Sequence, residues 1–298
     1  MELWQAIVLG LVEGITEYLP ISSTGHLIIA SSLMGMDTPD QKTAIDAFNI
    51  VIQGGAILAV LGLYWQRVRQ MLLGLMGKNP AGLKLFLLLI TAFLPAAVLG
   101  FLLDDWIESK LFFLWPVVGA LVVGGIYMIL VDLHTRKKIR IPGVPSHPDA
   151  GIERDITELT YPQALFIGFL QCIAMWPGTS RSMMTITGGI MCKLRPAQAA
   201  EFSFLLGLPT LGGATCYKLL KNLKEANDNP QMQNLFEQLG VMPVVVGIIV
   251  AAISAAIAVK WLVGFLNKHG LVGFGIYRIL LAIVLFALVS AELVTVAA

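Results

Sequence analysis

Glu13-Gly14-Ile15-Thr16-Glu17-Tyr18-Leu19-Pro20-Ile21-Ser22-Ser23-Thr24-Gly25-His26 follows an apolar stretch, Leu3 to Val12, that is too short to cross a bilayer. A spanning helix takes about 17–25 mostly apolar residues; here the run meets two carboxylates and then Pro20. Proline has no amide donor with which to continue a helix, so this stretch predicts a helix that stops partway through the membrane. Broken backbone survives at that depth only inside protein or beside a watery cavity. The expectation is a re-entrant hairpin over residues 3–35. A second stretch has the same form: Leu159 to Ser180 is apolar, is interrupted by Pro177-Gly178 and is followed at once by Arg181. It predicts a second re-entrant hairpin over residues 161–192.

The rest of the chain is membrane-like. Of 298 residues, 57% are hydrophobic and 13% charged, against about 25% charged in a soluble domain. Twenty Lys+Arg and nineteen Asp+Glu nearly cancel, which leaves no basic surface for nucleic acid and no acidic tail. Cys172, Cys192 and Cys216 lie in apolar stretches without metal-binding spacing and read as small core residues. No basic segment precedes the first apolar stretch, so a cleaved signal peptide is not expected. Six stretches read as full spans: Ala47 to Gln66, Leu85 to Leu103, Leu111 to Val131, Phe202 to Tyr217 extended toward Ala199, Gln238 to Val259, and Leu271 to Ala291, which contains Arg278.

Basic residues orient these spans, because cytoplasmic connections are enriched in Lys and Arg. Arg67, Arg69, Lys78 and Lys84 follow the first span, and Arg136, Lys137, Lys138 and Arg140 follow the third, so both connections should be cytoplasmic. Asp104-Asp105-Trp106-Ile107-Glu108 should face out. The first hairpin then enters from the outer face and the second from the cytoplasm, pointing at each other. Gln5-Ala6 and Gln163-Ala164 open the two hairpins, Gly10 matches Gly168, and Leu94-Pro95 resembles Met242-Pro243. The expected architecture is all-α: a polytopic membrane protein of six full transmembrane helices and two re-entrant hairpins arranged as an inverted repeat. Residues 1–298 form a single integral membrane domain, with a first repeat over 1–133, a cytoplasmic linker over 134–160 that contains Pro142, Pro145 and Pro148, and a second repeat over 161–298. Such repeats place their site near the midplane, between half-helix ends.

Ionisable groups at membrane depth cost on the order of 2.5–3.5 kcal/mol each on insertion scales, which singles out Glu13, Glu17, His26 and Arg181. Glu13 and Glu17 are four residues apart and share a helix face, where like charges repel. A divalent cation, a shared proton or an arginine would compensate them; the alternative is an aqueous vestibule in which they do nothing. After Pro20, the hydroxyls of Ser22, Ser23 and Thr24 suit the start of a new helix, whose free amides attract an anion. Ser23 and His26, three apart, share a face of that helix, so the imidazole could assist a serine nucleophile or protonate a leaving group; the plainer role for Ser23 is a helix cap. At the second break Thr179 and Ser180 suit a cap, and Arg181 offers a fork of donors shaped for phosphate. A buried ion pair of Arg181 with Glu13 or Glu17 is the structural alternative to a phosphate bearing its own cation.

The run from Glu13 to His26, with Pro177-Gly178-Thr179-Ser180-Arg181-Ser182 in the second half, resembles the undecaprenyl-diphosphate phosphatases of the bacitracin-resistance type. The resemblance covers essentially the whole chain and includes Phe48 to Gln53, Ala200-Glu201-Phe202-Ser203-Phe204 and Tyr277-Arg278; Thr160 to Trp176, with Met175 near the break, departs from it. It implies a multi-pass enzyme of the bacterial inner membrane whose active site opens to the outer face. Such an enzyme removes the terminal phosphate of undecaprenyl diphosphate, recycling the lipid carrier for peptidoglycan and conferring bacitracin resistance. It also implies a divalent cation, Mg or Ca, with Glu13 and Glu17 positioning metal or catalytic water. Ser23 becomes the candidate nucleophile, His26 its acid/base partner and Arg181 the clamp on the phosphates. Ser22, Thr24, Gln53, Thr179, Ser180, Ser182 and Thr185 would line the site. Membrane lipid is the expected partner besides the substrate, a homodimer is compatible with the chain, and nucleic acid is not expected. The rival from another class is a lipid-phosphate flippase or transporter built on the same anion site.

Overall fold

A computed structural model describes residues 1–36, 39–111, 113–136, 138–139, 154–228 and 235–294. Its helices are α1 (Leu3–Thr16), α2 (Ser23–Leu33), α3 (Pro39–Leu63), α4 (Trp65–Leu75), α5 (Pro80–Leu111), α6 (Leu114–Thr135), α7 (Tyr161–Ile173), α8 (Arg181–Met191), α9 (Pro196–Asp228), α10 (Leu235–Leu239), α11 (Val241–His269) and α12 (Val272–Ser290). Among the described residues there is one further 3-10 turn, Ile156–Glu158, and no strand. Among the described residues, five helical stretches are long and apolar enough to cross a membrane: Ile45–Leu63, Pro80–Leu103, Leu114–Thr135, Val241–His269 and Val272–Ser290. The sixth expected span falls in α9, which is 33 residues long but is diluted by Gly207, Pro209, Thr210, Gly212, Gly213 and Thr215. Most of the linker, residues 140–153 with its three prolines, and Lys137 lie outside the described residues.

Both broken stretches have a local cause. In the first, α1 ends at Thr16, the chain turns through Tyr18 to Ile21, and α2 starts after Ser22, whose φ is 72°. In the second, α7 begins with a reciprocal cap in which Thr160 Oγ1 accepts from the Gln163 amide and Gln163 Oε1 accepts from the Thr160 amide. It ends at Ile173, and α8 starts after Ser180, whose φ is 74°. A non-glycine residue in this region costs about 1–3 kcal/mol and persists only where its surroundings hold it. Two serines bear that strain at the same point of two breaks.

The short helices dock on spans from the far half of the chain: α1 packs on α11 and α7 on α5, while α3 meets α9 and α6 meets α12. Glycine makes the first two contacts close. A Cβ at Gly10 would lie 2.7 Å from the Gly247 carbonyl oxygen, and one at Gly168 would lie 2.5 Å from that of Ala92. Pro95 sits deep inside α5 whereas Pro243 is in the first turn of α11, so that matched pair occupies different places in its helices. The sequence reading treated Arg67 and Arg69 as part of a connection; they lie on α4, which packs on α5. Arg67 there bonds Asp155 and Glu201, each at 2.7 Å, tying α4 to α9 and to the segment before α7. Cys192 is buried, as a core residue would be, but Cys172 is half-buried and Cys216 exposed.

Candidate active site

The two breaks meet. Ser182 at the start of α8 donates its hydroxyl proton to the carbonyl of Leu19 in the first break, at 2.8 Å. Arg181 Nη2 donates to Glu17 Oε1 at 3.0 Å, and its Nη1 donates to the carbonyl of Ser203 on α9, also at 3.0 Å. The guanidinium lies 5.3 Å from the centroid of the Tyr18 ring, which packs edge-on against Phe204. Position explains the pairing. Ser23 and Arg181 are each the first residue of a half-helix, each preceded by a serine with positive φ.

Ser23 hydrogen-bonds Glu17. Its Oγ donates to Glu17 Oε2 at 2.8 Å, so one carboxylate takes Ser23 on one oxygen and Arg181 on the other. The hydroxyl is therefore not used as a cap; the N-cap position belongs to Ser22, whose side chain makes no capping bond. Across the site Ser180 does cap, accepting from the Met183 amide at 3.3 Å, and its Oγ lies 3.1 Å from that of Ser182. Thr185 Oγ1 donates to the Arg181 carbonyl at 2.9 Å and lies 2.6 Å from Ser203 Oγ. These contacts hold the Arg181 backbone and the Ser203 carbonyl that receives its guanidinium.

Glu13, one turn before Glu17, is fully buried; its side chain meets that of Glu17, and among the described residues no N–H or hydroxyl donates to its carboxylate oxygens. The charges acting on it are those of Glu17 and Arg181. A buried carboxylate without a donor is costly, and it faces the same space as the Glu17–Arg181 pair. Two carboxylates offering hard oxygens suit Mg²⁺ or Ca²⁺, and Mg²⁺ in particular is commonly held by one or two carboxylates with phosphate oxygens completing its shell. Among the described residues no group of three or more His, Cys, Asp or Glu is arranged for a metal.

His26 sits on α2 one turn after Ser23, but its ring nitrogens are directed elsewhere. Nδ1 is 2.7 Å from the Ser22 carbonyl oxygen and Nε2 is 2.7 Å from the Tyr277 hydroxyl on α12. Thr179 is buried in the second break, while Thr24 and Gln53 are half-buried on α2 and α3. Among the described residues neither Thr24 nor Gln53 hydrogen-bonds to the Glu17, Ser23 and Arg181 group.

The sequence description of bacitracin resistance protein BacA matches residues 6–284. The chain belongs to the BacA family. A Sorangium cellulosum protein named undecaprenyl-diphosphatase is 42% identical over 278 residues, 93% of this chain and 83% of its own. A Porphyromonas gingivalis protein of the same name is 42% identical over 297 residues, 97% of each chain. One from Wolinella succinogenes is 43% identical over 286 residues, 95% of this chain and 97% of its own.

In this BacA-family site, the sequence reading gave no role to four side chains that the fold brings in. Tyr18 lies beneath Arg181, Ser203 anchors it, Tyr277 meets His26, and Arg278 holds the second break. Arg278 is fully buried; its Nη2 donates to the carbonyls of Gly178 at 2.8 Å and Ala120 at 2.9 Å, while Nε and Nη1 have no hydrogen-bond partner among the described residues. The available signal is an arginine inside an otherwise apolar span, to which the sequence alone assigns no task.

Proposed function

We propose that this BacA-family chain is an undecaprenyl-diphosphatase, hydrolysing undecaprenyl diphosphate to undecaprenyl phosphate and inorganic phosphate. The observation that carries the reading is the continuous series Ser23, Glu17, Arg181: a hydroxyl donating to a buried carboxylate that an arginine also grips. Anhydride cleavage needs an aligned attacking oxygen, a group to take its proton and fixed positive charge at the nonbridging oxygens. In this reading Ser23 Oγ attacks the terminal phosphorus while its proton passes to Glu17 Oε2. The bond from phosphorus to the bridging oxygen breaks, and undecaprenyl phosphate leaves. Water then attacks the phosphoserine, releasing inorganic phosphate and restoring the hydroxyl. Arg181 binds the phosphoryl oxygens, and His26, free of Ser23, exchanges the proton on the departing side. Ser22, Thr24, Gln53, Thr179, Ser180, Ser182 and Thr185 form the polar wall around the head group, and the isoprenoid tail lies against apolar helices.

Glu13 and Glu17 are the residues that would hold a divalent cation, and the two orphaned oxygens of Glu13 support that assignment. Such an ion, when bound, neutralises charge on the diphosphate. The architecture belonging to this reading has six spans, with α9 as the sixth, and two re-entrant hairpins related as an inverted repeat. Its support is the exchanged packing of α1 on α11 and α7 on α5, and the matching strain at Ser22 and Ser180. The Lys and Arg asymmetry supports an orientation in which the first hairpin opens outward, and the family supports the bacterial inner membrane as the location. A cysteine placed near Asp105 should then react with an impermeant reagent from outside, and one near Lys137 only after the membrane is opened.

The deciding experiment is phosphate release by the purified protein from a polyprenyl diphosphate, with and without a chelator. Release that a chelator stops and added Mg²⁺ or Ca²⁺ restores is the expected result. No hydrolysis under any cation, with the lipid still bound, would leave a transporter as the better reading.

A further inference from the structure

Tyr277 and Arg278 are neighbours on α12 that serve opposite breaks, the first bonding His26 of α2 and the second the Gly178 carbonyl ahead of α8. The geometry at His26 fixes more than its place. A carbonyl oxygen only accepts, so the 2.7 Å contact to Ser22 requires the proton on Nδ1. Nε2 is then the nitrogen that gains and loses a proton, and the group it meets is the Tyr277 hydroxyl, 2.7 Å away. The two rings lie within 3° of parallel, with centroids 5.6 Å apart.

A hydroxyl can serve both states of that nitrogen. It donates to the bare Nε2 of the neutral ring and, turned about its C–O bond, accepts from Nε2–H of the charged one. Among the described residues no carboxylate bonds the ring. Glu17, at the C-terminal end of α1, reaches α2 through Ser23, and the charge that acts on His26 from α12 is the like charge of Arg278. We infer that Tyr277 is a positioning residue: with the Ser22 carbonyl it holds His26 as the Nδ1–H tautomer with Nε2 as its working nitrogen, and it receives the proton-bearing Nε2 when the ring is charged. The inference rests on the reading above in which His26 exchanges a proton during hydrolysis. It assigns the Tyr277 hydroxyl a part that neither composition nor span prediction indicates.

Tyr277→Phe keeps the ring and its stacking and removes only the hydroxyl. Losing one hydrogen bond to a charged group should lower kcat about ten- to a hundredfold, with KM within about twofold. In parallel, protein labelled with ¹⁵N at its four histidines and studied by NMR in detergent should show His26, assigned by its absence in His26→Gln, protonated on Nδ1 and bare on Nε2. Tyr277→Phe should weaken that preference or alter the Nε2 shift. The Nε2–H tautomer in the unaltered protein would overturn the proposal, as would a rise in KM with kcat unchanged. The NMR result needs no turnover, so a protein that does not hydrolyse lipid diphosphate would refute the functional reading while leaving the hydrogen-bond arrangement to be decided on its own.

Discussion

Replacing Arg181 tests the site and the fold together. Its guanidinium donates to Glu17 at 3.0 Å and to the Ser203 carbonyl at 3.0 Å, and lies over Tyr18 at 5.3 Å. Arg181→Ala removes all three contacts and leaves Glu13 and Glu17, 0% and 7% exposed, facing each other without the arginine's charge. Removing one partner of a buried pair typically costs about 3–5 kcal/mol. At about 2–4 °C per kcal/mol, the apparent unfolding temperature in detergent should fall by on the order of 10 °C. Phosphate release should fall by about 10³-fold or more, the scale of a lost arginine in phosphoryl transfer. The double variant Glu17→Gln, Arg181→Met separates the effects, because neither member of the pair is then left charged and alone. It should recover most of the lost thermal stability and none of the activity. Thermal scans at one fixed rate and phosphate release on the same preparations measure both quantities. If Arg181→Ala unfolds at the unaltered temperature, or the double variant is less stable than either single one, the buried pair does not carry the energy assigned to it.

Three other outcomes follow from particular contacts. Ser23→Ala should abolish phosphate release while lipid-diphosphate binding persists through Arg181, whereas Ser22→Ala, which loses no capping bond, should keep substantial activity; high turnover in Ser23→Ala would move the attack to a water on Glu17. Gly168→Ala places a methyl 2.5 Å from the Ala92 carbonyl oxygen and should cost about 1–3 kcal/mol by overpacking, read as a lower unfolding temperature. At Asp155 burial would raise the carboxyl, but the hydrogen bonds from Arg67 and Thr157 outweigh it and hold it below the usual carboxylate value of 3.8. A depressed folded value means stability that is present above the unfolded value and is lost as pH falls through the folded one. Acidification below about pH 4 should therefore destabilise the native chain more than Asp155→Asn, with circular dichroism against pH as the readout.

Pro20 and Pro177-Gly178 were enough to locate both breaks, because a missing amide donor acts locally and needs no knowledge of the rest of the fold. Glu13, Glu17 and Arg181 were legible for a similar reason: a charge in an apolar run is conspicuous wherever it ends up. Helical spacing was less informative at His26. Three residues along α2 put it on the face of Ser23, yet its ring bonds Ser22 and Tyr277, and Ser23 turns back to Glu17. The bonds from Ser182 to Leu19, from Arg278 to Gly178 and from Tyr277 to His26 join residues 100 to 251 positions apart. No periodicity within one segment encodes them. At α9 Gly, Pro and Thr dilute the apolar character, which leaves it outside the five stretches long and apolar enough to cross a membrane, while the charges of α4 suit a connection as well as a helix.

The exchanged docking of the short helices sets an order of events during synthesis. Gly10 of α1 closes against Gly247 of α11, and those residues are made far apart in time. At roughly 5–20 residues per second, the ribosome needs on the order of ten to fifty seconds to travel from one to the other. Through that interval the half-helix bearing Glu13 and Glu17 has neither the span it packs on nor Arg181 for most of the wait. A nascent chain of this family therefore carries both carboxylates before the arginine that faces them has been made, with α2 and α3 the first of its own helices beside them.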